Sequence, residues 1–101
     1  MIHHIVLWKL DDSYSSNEKT KILKQLNDKL LNLLNYIVEL RSLEVNINSE
    51  KAAANNFEIL LVSKFDTLED LKKYQVHPEH LKVVEYIKTL KLKKAAIDYE
   101  F

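Results

Sequence analysis

The sequence has no glycine and no cysteine, and only one proline, one tryptophan and one methionine. Each absence removes a class of function. Without glycine there is no glycine-rich phosphate loop and no dinucleotide fingerprint, because both need a residue lacking Cβ where backbone meets phosphate. Sharp turns fall instead to Asn, Asp, Ser and Pro78. Without cysteine there is no disulfide framework, no thiolate zinc site and no cysteine nucleophile. That composition suits the cytoplasm. An excess of either charge is missing too. Lys plus Arg and Asp plus Glu number 15 each, so neither nucleic acid nor an anionic membrane is expected as the main partner. No apolar run approaches membrane-spanning length. The opening residues, MIHHIVLWKLDD, lack the cationic region and long apolar run of a signal peptide.

What is present is an ordinary globular balance, 47% hydrophobic and 30% charged over 101 residues. It predicts a single domain across residues 1–101 with a core of thin margin. IHHIVLWKL, Ile2 to Leu10, reads as a strand. Ile2, His4, Val6, Trp8 and Leu10 share one face, and His3, Ile5, Leu7 and Lys9 the other. Ser15 with Glu18 forms a capping box. Beyond it Ile22, Leu23, Leu26, Leu30, Leu33, Leu34 and Ile37 recur at helical spacing. RSLEVNIN alternates as a second strand, and FEILLVSKF is a third. Thr67 and Asp70 open a short helix. Pro78 suits the first position of another, where its missing N–H costs nothing, with Leu81, Val84 and Ile87 on the buried side. The tail KAAIDYEF is a fourth strand, with Ala95, Ile97, Tyr99 and Phe101 against Ala96, Asp98 and Glu100. The order β-α-β-β-α-α-β predicts an α+β, ferredoxin-like, four-stranded antiparallel sheet with helices on one face.

That architecture leaves apolar surface without cover. The first and third strands are apolar on both faces, and one helical layer shelters one face. The remaining side chains are worth roughly 1.5–3 kcal/mol each if buried, and a patch of that kind marks an interface or a ligand groove. A second copy of the chain is the economical cover, giving a homodimer packed sheet to sheet.

Three segments, IHHIVLWKL, LLVSKFDTLEDLKKYQVHPEHLKVVEYI and AIDYEF, together resemble the stress-responsive α/β-barrel domain, the dimeric α/β-barrel (Dabb) family. The resemblance covers nearly the whole chain. It rests most specifically on a Tyr six residues before the second His of HPxH. It implies a ferredoxin-like fold that dimerises through its sheets into a dimeric α/β barrel. The family includes plant stress-induced proteins and olivetolic acid cyclase, which closes a polyketide by aldol condensation. By that resemblance His80 is a catalytic base, Tyr74 assists it, and His4 is a further pocket histidine. A pocket tyrosine of that enzyme's first helix falls near Leu30, which has no hydroxyl.

The residues themselves leave several roles open. With Pro78 as the first helical residue, His77 falls at the N-cap and His80 at the third position. The positive end of the helix dipole disfavours imidazolium there, and a neutral imidazole is what a general base needs. The structural alternative is that His77 only caps the helix and His80 only makes a hydrogen bond beneath Tyr74. Val6, Trp8 and His77 are expected on a pocket wall or on the dimer face, and His4 belongs either to the pocket or to the packed core. His77 and His80 could share a cation, but two ligands make a poor zinc site. No metal and no cofactor are called for. The leading functional expectation is a small-molecule pocket for a hydrophobic or carboxylate ligand. Its chemistry would be proton removal next to a carbonyl, with His80 as base and Tyr74 as hydrogen-bonding partner. The competing expectation is a non-enzymatic stress or dimerisation module.

Overall fold

Four strands and three helices follow one another along the chain: β1 (Ile2–Leu10), α1 (Ser16–Asn32), β2 (Ser42–Ile47), β3 (Ile59–Phe65), α2 (Leu68–Val76), α3 (Pro78–Lys88) and β4 (Leu92–Glu100). The structure, a computed structural model, describes residues Met1–Phe101. The strands form one antiparallel sheet in the order β2-β3-β1-β4, the ferredoxin-like arrangement expected from the pattern. No helix is long and apolar enough to cross a membrane.

The local signals account for the helix starts. The Ser15 hydroxyl accepts from the Glu18 N–H, and the Glu18 carboxylate accepts from the Ser15 N–H, so the capping box closes both ways. The Thr67 hydroxyl caps α2 by accepting from the Asp70 N–H at 3.1 Å. Each such cap is worth about 1 kcal/mol. Pro78 opens α3 at its first turn. No residue has positive φ, so every turn is made in backbone regions open to residues with a Cβ.

Strand alternation decides which side chains meet the helices. Ile2, His4, Val6, Trp8 and Leu10 on β1 are all buried, as are Ile59, Leu61, Ser63 and Phe65 on β3. Leu26, Leu30 and Leu33 descend onto them from α1 and its continuation, Leu71 and Tyr74 from α2, and Val83 from α3. Two helical expectations need correction. After Asn32 the helix tightens into a 3₁₀ turn, Leu33–Asn35, and the buried stripe continues through Leu33 and Ile37 while Leu34 points outward. On α3 the inward stripe runs through Val83, Tyr86 and Ile87, so Leu81 is 47% exposed.

The helical layer also falls short of β4. Leu92 is half-buried and the other residues of β4 are largely exposed on both faces. On the side away from the helices, Ile5, Leu7, Leu60 and Val62 are only half-buried. Ile97, Tyr99 and Phe101 extend that face with exposures of 57%, 40% and 55%. This is the uncovered apolar surface that the strand pattern predicted.

The packing predicts a sharp contrast between two leucines. Leu26→Ala leaves a void in the core and should cost about 2–5 kcal/mol. Leu81→Ala should stay within about 0.5 kcal/mol of the parent. Urea unfolding followed by far-UV circular dichroism measures both.

Candidate active site

His4 and His80 reach one cavity from opposite layers of the fold. His4 lies on the helix-facing side of β1, and His80 occupies the third residue of α3. The cavity has a volume of about 140 Å³, close to that of cavities that admit a benzene-sized molecule, and its walls include His4, Val6, Trp8, Gln75, His80 and Lys94. A larger hollow of about 770 Å³ lies between α1 and the chain leading from β2 to β3. It contains no histidine, and its Lys19 is already paired with Glu58 at 3.2 Å. The smaller cavity is therefore the one with reactive groups free to act.

Each imidazole is held by one nitrogen. On β4, Asp98 lies directly across from His4, and its carboxylate accepts from His4 Nδ1 at 2.5 Å. His80 Nδ1 donates to the Gln75 carbonyl at 3.1 Å. Both bonds leave Nε2 as the second ring nitrogen, the one with a lone pair when the ring is neutral. Burial lowers the His80 pKa from its ordinary value of 6.5. The bond to Gln75 opposes that shift, and the nearby His4, Lys94 and His77 add to it. Burial and positive neighbours win, which favours the uncharged ring. The N-terminal end of α3 acts in the same direction.

Tyr74 stands behind the two histidines and is not part of the cavity wall. It is fully buried. Its ring lies 4.4 Å from that of His80, 6.2 Å from that of His4 and 5.0 Å from that of Phe65. The hydrogen bond expected between Tyr74 and its neighbours is not formed, because its hydroxyl has no partner. Burial pushes the phenol pKa upward, so the group is a neutral donor. Trp8 Nε1 is likewise buried without a partner. His77 does not line the cavity. It ends α2 and caps α3, its Nδ1 accepting from the Glu79 N–H at 3.1 Å. With His77 Nδ1 and His80 Nδ1 each committed to backbone, the pair does not converge as a chelate. No group of three or more His, Asp or Glu side chains is arranged to hold a metal ion.

Strand alternation brings His4, Val6 and Trp8 to the cavity together, and the helix start at Pro78 brings His80. Sequence reasoning missed the roles of Asp98, Gln75 and Lys94. Asp98 was visible as a polar residue on an alternating tail, but only the β1–β4 register joins it to His4. The Gln75 carbonyl carries no side-chain signal at all.

The direction of the His80 shift has a measurable consequence. A histidine whose folded pKa lies below its unfolded value binds fewer protons when folded. Its contribution is therefore complete above the unfolded pKa and is lost as pH falls from about 6.5 toward the folded pKa. In an NMR titration of the imidazole C–H signals, the His80 resonance should move at a pH clearly below about 6.5. A His80 midpoint at or above that ordinary value would contradict the buried, neutral assignment.

Comparison with known proteins places this geometry in a family. The profile of the Stress responsive A/B Barrel Domain matches residues 2–101. Over 85 residues the chain is 34% identical to a stress-response A/B barrel domain-containing protein of Arabidopsis thaliana. That match covers 84% of this chain and 30% of the plant protein, so the chain spans less than a third of this relative. A dimeric protein of unknown function with a ferredoxin-like fold, from Bacteroides fragilis, is similar at a TM-score of 0.90 and 34% identity, over 99% of this chain and 95% of that one. The hydroxynitrile lyase of Passiflora edulis shares the fold at a TM-score of 0.77 and 19% identity, over 97% of this chain and 90% of that one. The whole-length match and the agreement in architecture lead to one conclusion: the chain belongs to the stress-responsive A/B barrel (Dabb) family.

Proposed function

We infer that the protein is a cytoplasmic homodimer whose cavity carries out acid–base chemistry on a small carbonyl compound, with His80 as the base. The observation that carries the reading is the tethering of His80. Its Nδ1 is committed to the Gln75 carbonyl, its pKa is held down by burial, and it lines a cavity with a second histidine fixed by a carboxylate.

In the reaction envisaged, His80 Nε2 takes a proton from the carbon next to a carbonyl. The C–H electron pair moves into the carbonyl to give an enolate, and the ring becomes imidazolium. Addition of the enolate carbon to a second carbonyl forms a C–C bond. The proton then returns to the new alkoxide from the His80 imidazolium, which restores the neutral base. The same steps in reverse cleave a C–C bond, the lyase direction. A small oxo acid or a short polyketide-like chain is the class of substrate that fits this chemistry. A positioned base of this kind contributes typically about 10²–10⁴-fold to rate. Tyr74 acts as a positioning residue that packs against both imidazoles. The Passiflora protein supports the reading to the extent that the same fold serves a lyase there.

The test is deuterium exchange at the methylene carbon of 2-oxobutanoate, and at the methyl groups of the neutral diketone butane-2,3-dione, followed by proton NMR in D₂O. The parent protein should accelerate exchange of at least one of them over buffer. His80→Gln should reduce that acceleration by about 10²–10⁴-fold. Exchange no faster than buffer would favour the non-enzymatic module, and acceleration unchanged in His80→Gln would refute His80 as the base.

The dimer rests on the apolar face formed by Ile5, Leu7, Leu60, Val62 and Ile97, and on the dimeric state of the Bacteroides relative. A charge at the centre of such a face is costly to desolvate. Ile97→Glu should therefore shift the sedimentation coefficient from dimer to monomer at micromolar concentration. A parent chain already monomeric there would refute the assembly.

A further inference from the structure

The cavity wall offers hydrogen-bond donors and positive charge, and no carboxylate. Its lining residues include Lys88 and Lys94 but no Asp or Glu, although the chain as a whole carries equal numbers of acidic and basic residues. The Asp98 carboxylate, beside the cavity's His4, is engaged with its Nδ1. The two lysines are not equivalent. Lys88 pairs with Glu85 at 3.4 Å and projects largely into water. Lys94 makes no ion pair.

Lys94 also has a specific neighbour. It lies directly across from Trp8 in the β1–β4 ladder, on the helix-facing side of the sheet. Opposed residues of an antiparallel pair place their Cβ atoms within about 5.5 Å. Trp8 is 4% exposed, and its Nε1–H is a buried donor without an acceptor. A buried donor of this kind is rare unless a water or a ligand completes it. Both residues belong to the cavity wall, and an ammonium and an indole N–H share one requirement, an acceptor such as an oxyanion. Val6, Leu61, Val83 and Ile87 supply an apolar part of the wall.

We propose that the cavity selects an anionic substrate, a small carboxylate with an apolar body, and that Lys94 and Trp8 are the residues that recognise the carboxylate. The inference rests on the reading of this cavity as the substrate site. With the carboxylate at the Lys94–Trp8 edge, the body of the acid extends between Val6 and Val83 toward His80. That orientation presents the carbon beside an oxo group, and not the acid group, to the base. Lys94 is a specificity residue in this scheme. It binds the substrate and takes no part in proton transfer.

A pair of isosteric probes isolates the charge. Benzoate and its neutral analogue benzamide match the size of the cavity, and Trp8 is the only tryptophan, so its fluorescence and indole N–H signal report on this wall alone. The parent protein should bind benzoate at least about tenfold more tightly than benzamide, since charge-assisted hydrogen bonds are roughly twice as strong as neutral ones. In Lys94→Gln the preference should fall to about twofold or less with benzamide affinity unchanged, while Lys94→Arg keeps it. Lys93→Gln, on the opposite face of the same strand, should leave it intact. Equal affinity for the two probes, no response of Trp8 to either, or an unchanged preference in Lys94→Gln would overturn the inference. So would loss of benzamide binding in Lys94→Gln, or an equal effect of Lys93→Gln. Binding involves no turnover. A benzoate preference without proton exchange would refute the base and leave this inference standing, and exchange without a preference would do the reverse.

Discussion

The antiparallel pairing of β1 with β4 is the interaction on which the site depends. It is the register that sets Asp98 beside His4 and Lys94 beside Trp8. A slip of one residue would turn those β4 side chains to the other face, and would set Ile97 beside an imidazole in place of its carboxylate. The register is secured because β1 is buried against the helices through Ile2, Val6, Trp8 and Leu10, so β1 cannot move without exposing them. The most exposed strand of the sheet is thus aligned by the most buried one. The site combines a rigid floor with an outer wall of solvent-facing residues.

The opposite wall depends on a different device. Tyr74 and His77 are close in sequence, yet one is sealed in the core and the other marks a break between two helices. The peptide N–H of His77 bonds to the Tyr74 carbonyl at 3.1 Å, and its ring accepts from Glu79. One residue therefore ends α2 and starts α3. Pro78 supports the break, because a proline disfavours helical backbone at the residue before it. This bend frees the Gln75 carbonyl from the helical ladder, so that it can accept from His80. His80 is thus oriented by the backbone of the helix before its own.

Much of this was legible in the sequence, and the reasons for the remainder are physical. Capping chemistry is local, so Ser15 with Glu18, Thr67 with Asp70, and Pro78 each announced a helix start. Alternation is local as well, and it assigned His4, Val6 and Trp8 to one face of β1. The family resemblance seen in HPEH and the flanking segments is borne out by the match over residues 2–101. Periodicity does not say which neighbour an element will face. The inward stripe of α3 therefore kept Ile87 as expected but fell on Val83 and Tyr86 in place of Leu81 and Val84, and the partnership of His4 with Asp98 stayed hidden. Tyr74 carried a plausible polar role in the sequence. The packed fold instead sets its ring against Phe65 and His80 and leaves its hydroxyl unpaired.

The outermost strand has a bearing on how the protein behaves at high concentration. β4 bonds to β1 along one side only, so its far side is a row of unoccupied amide groups, a template on which foreign chains can stack into fibrils. Lys93, Lys94, Asp98 and Glu100 stud this strand, and charges on a sheet rim are the usual deterrent to such stacking. If the same lysine that grips an acid also keeps the rim from sticking, then variants made to widen ligand range at that position will tend to be lost to precipitation first.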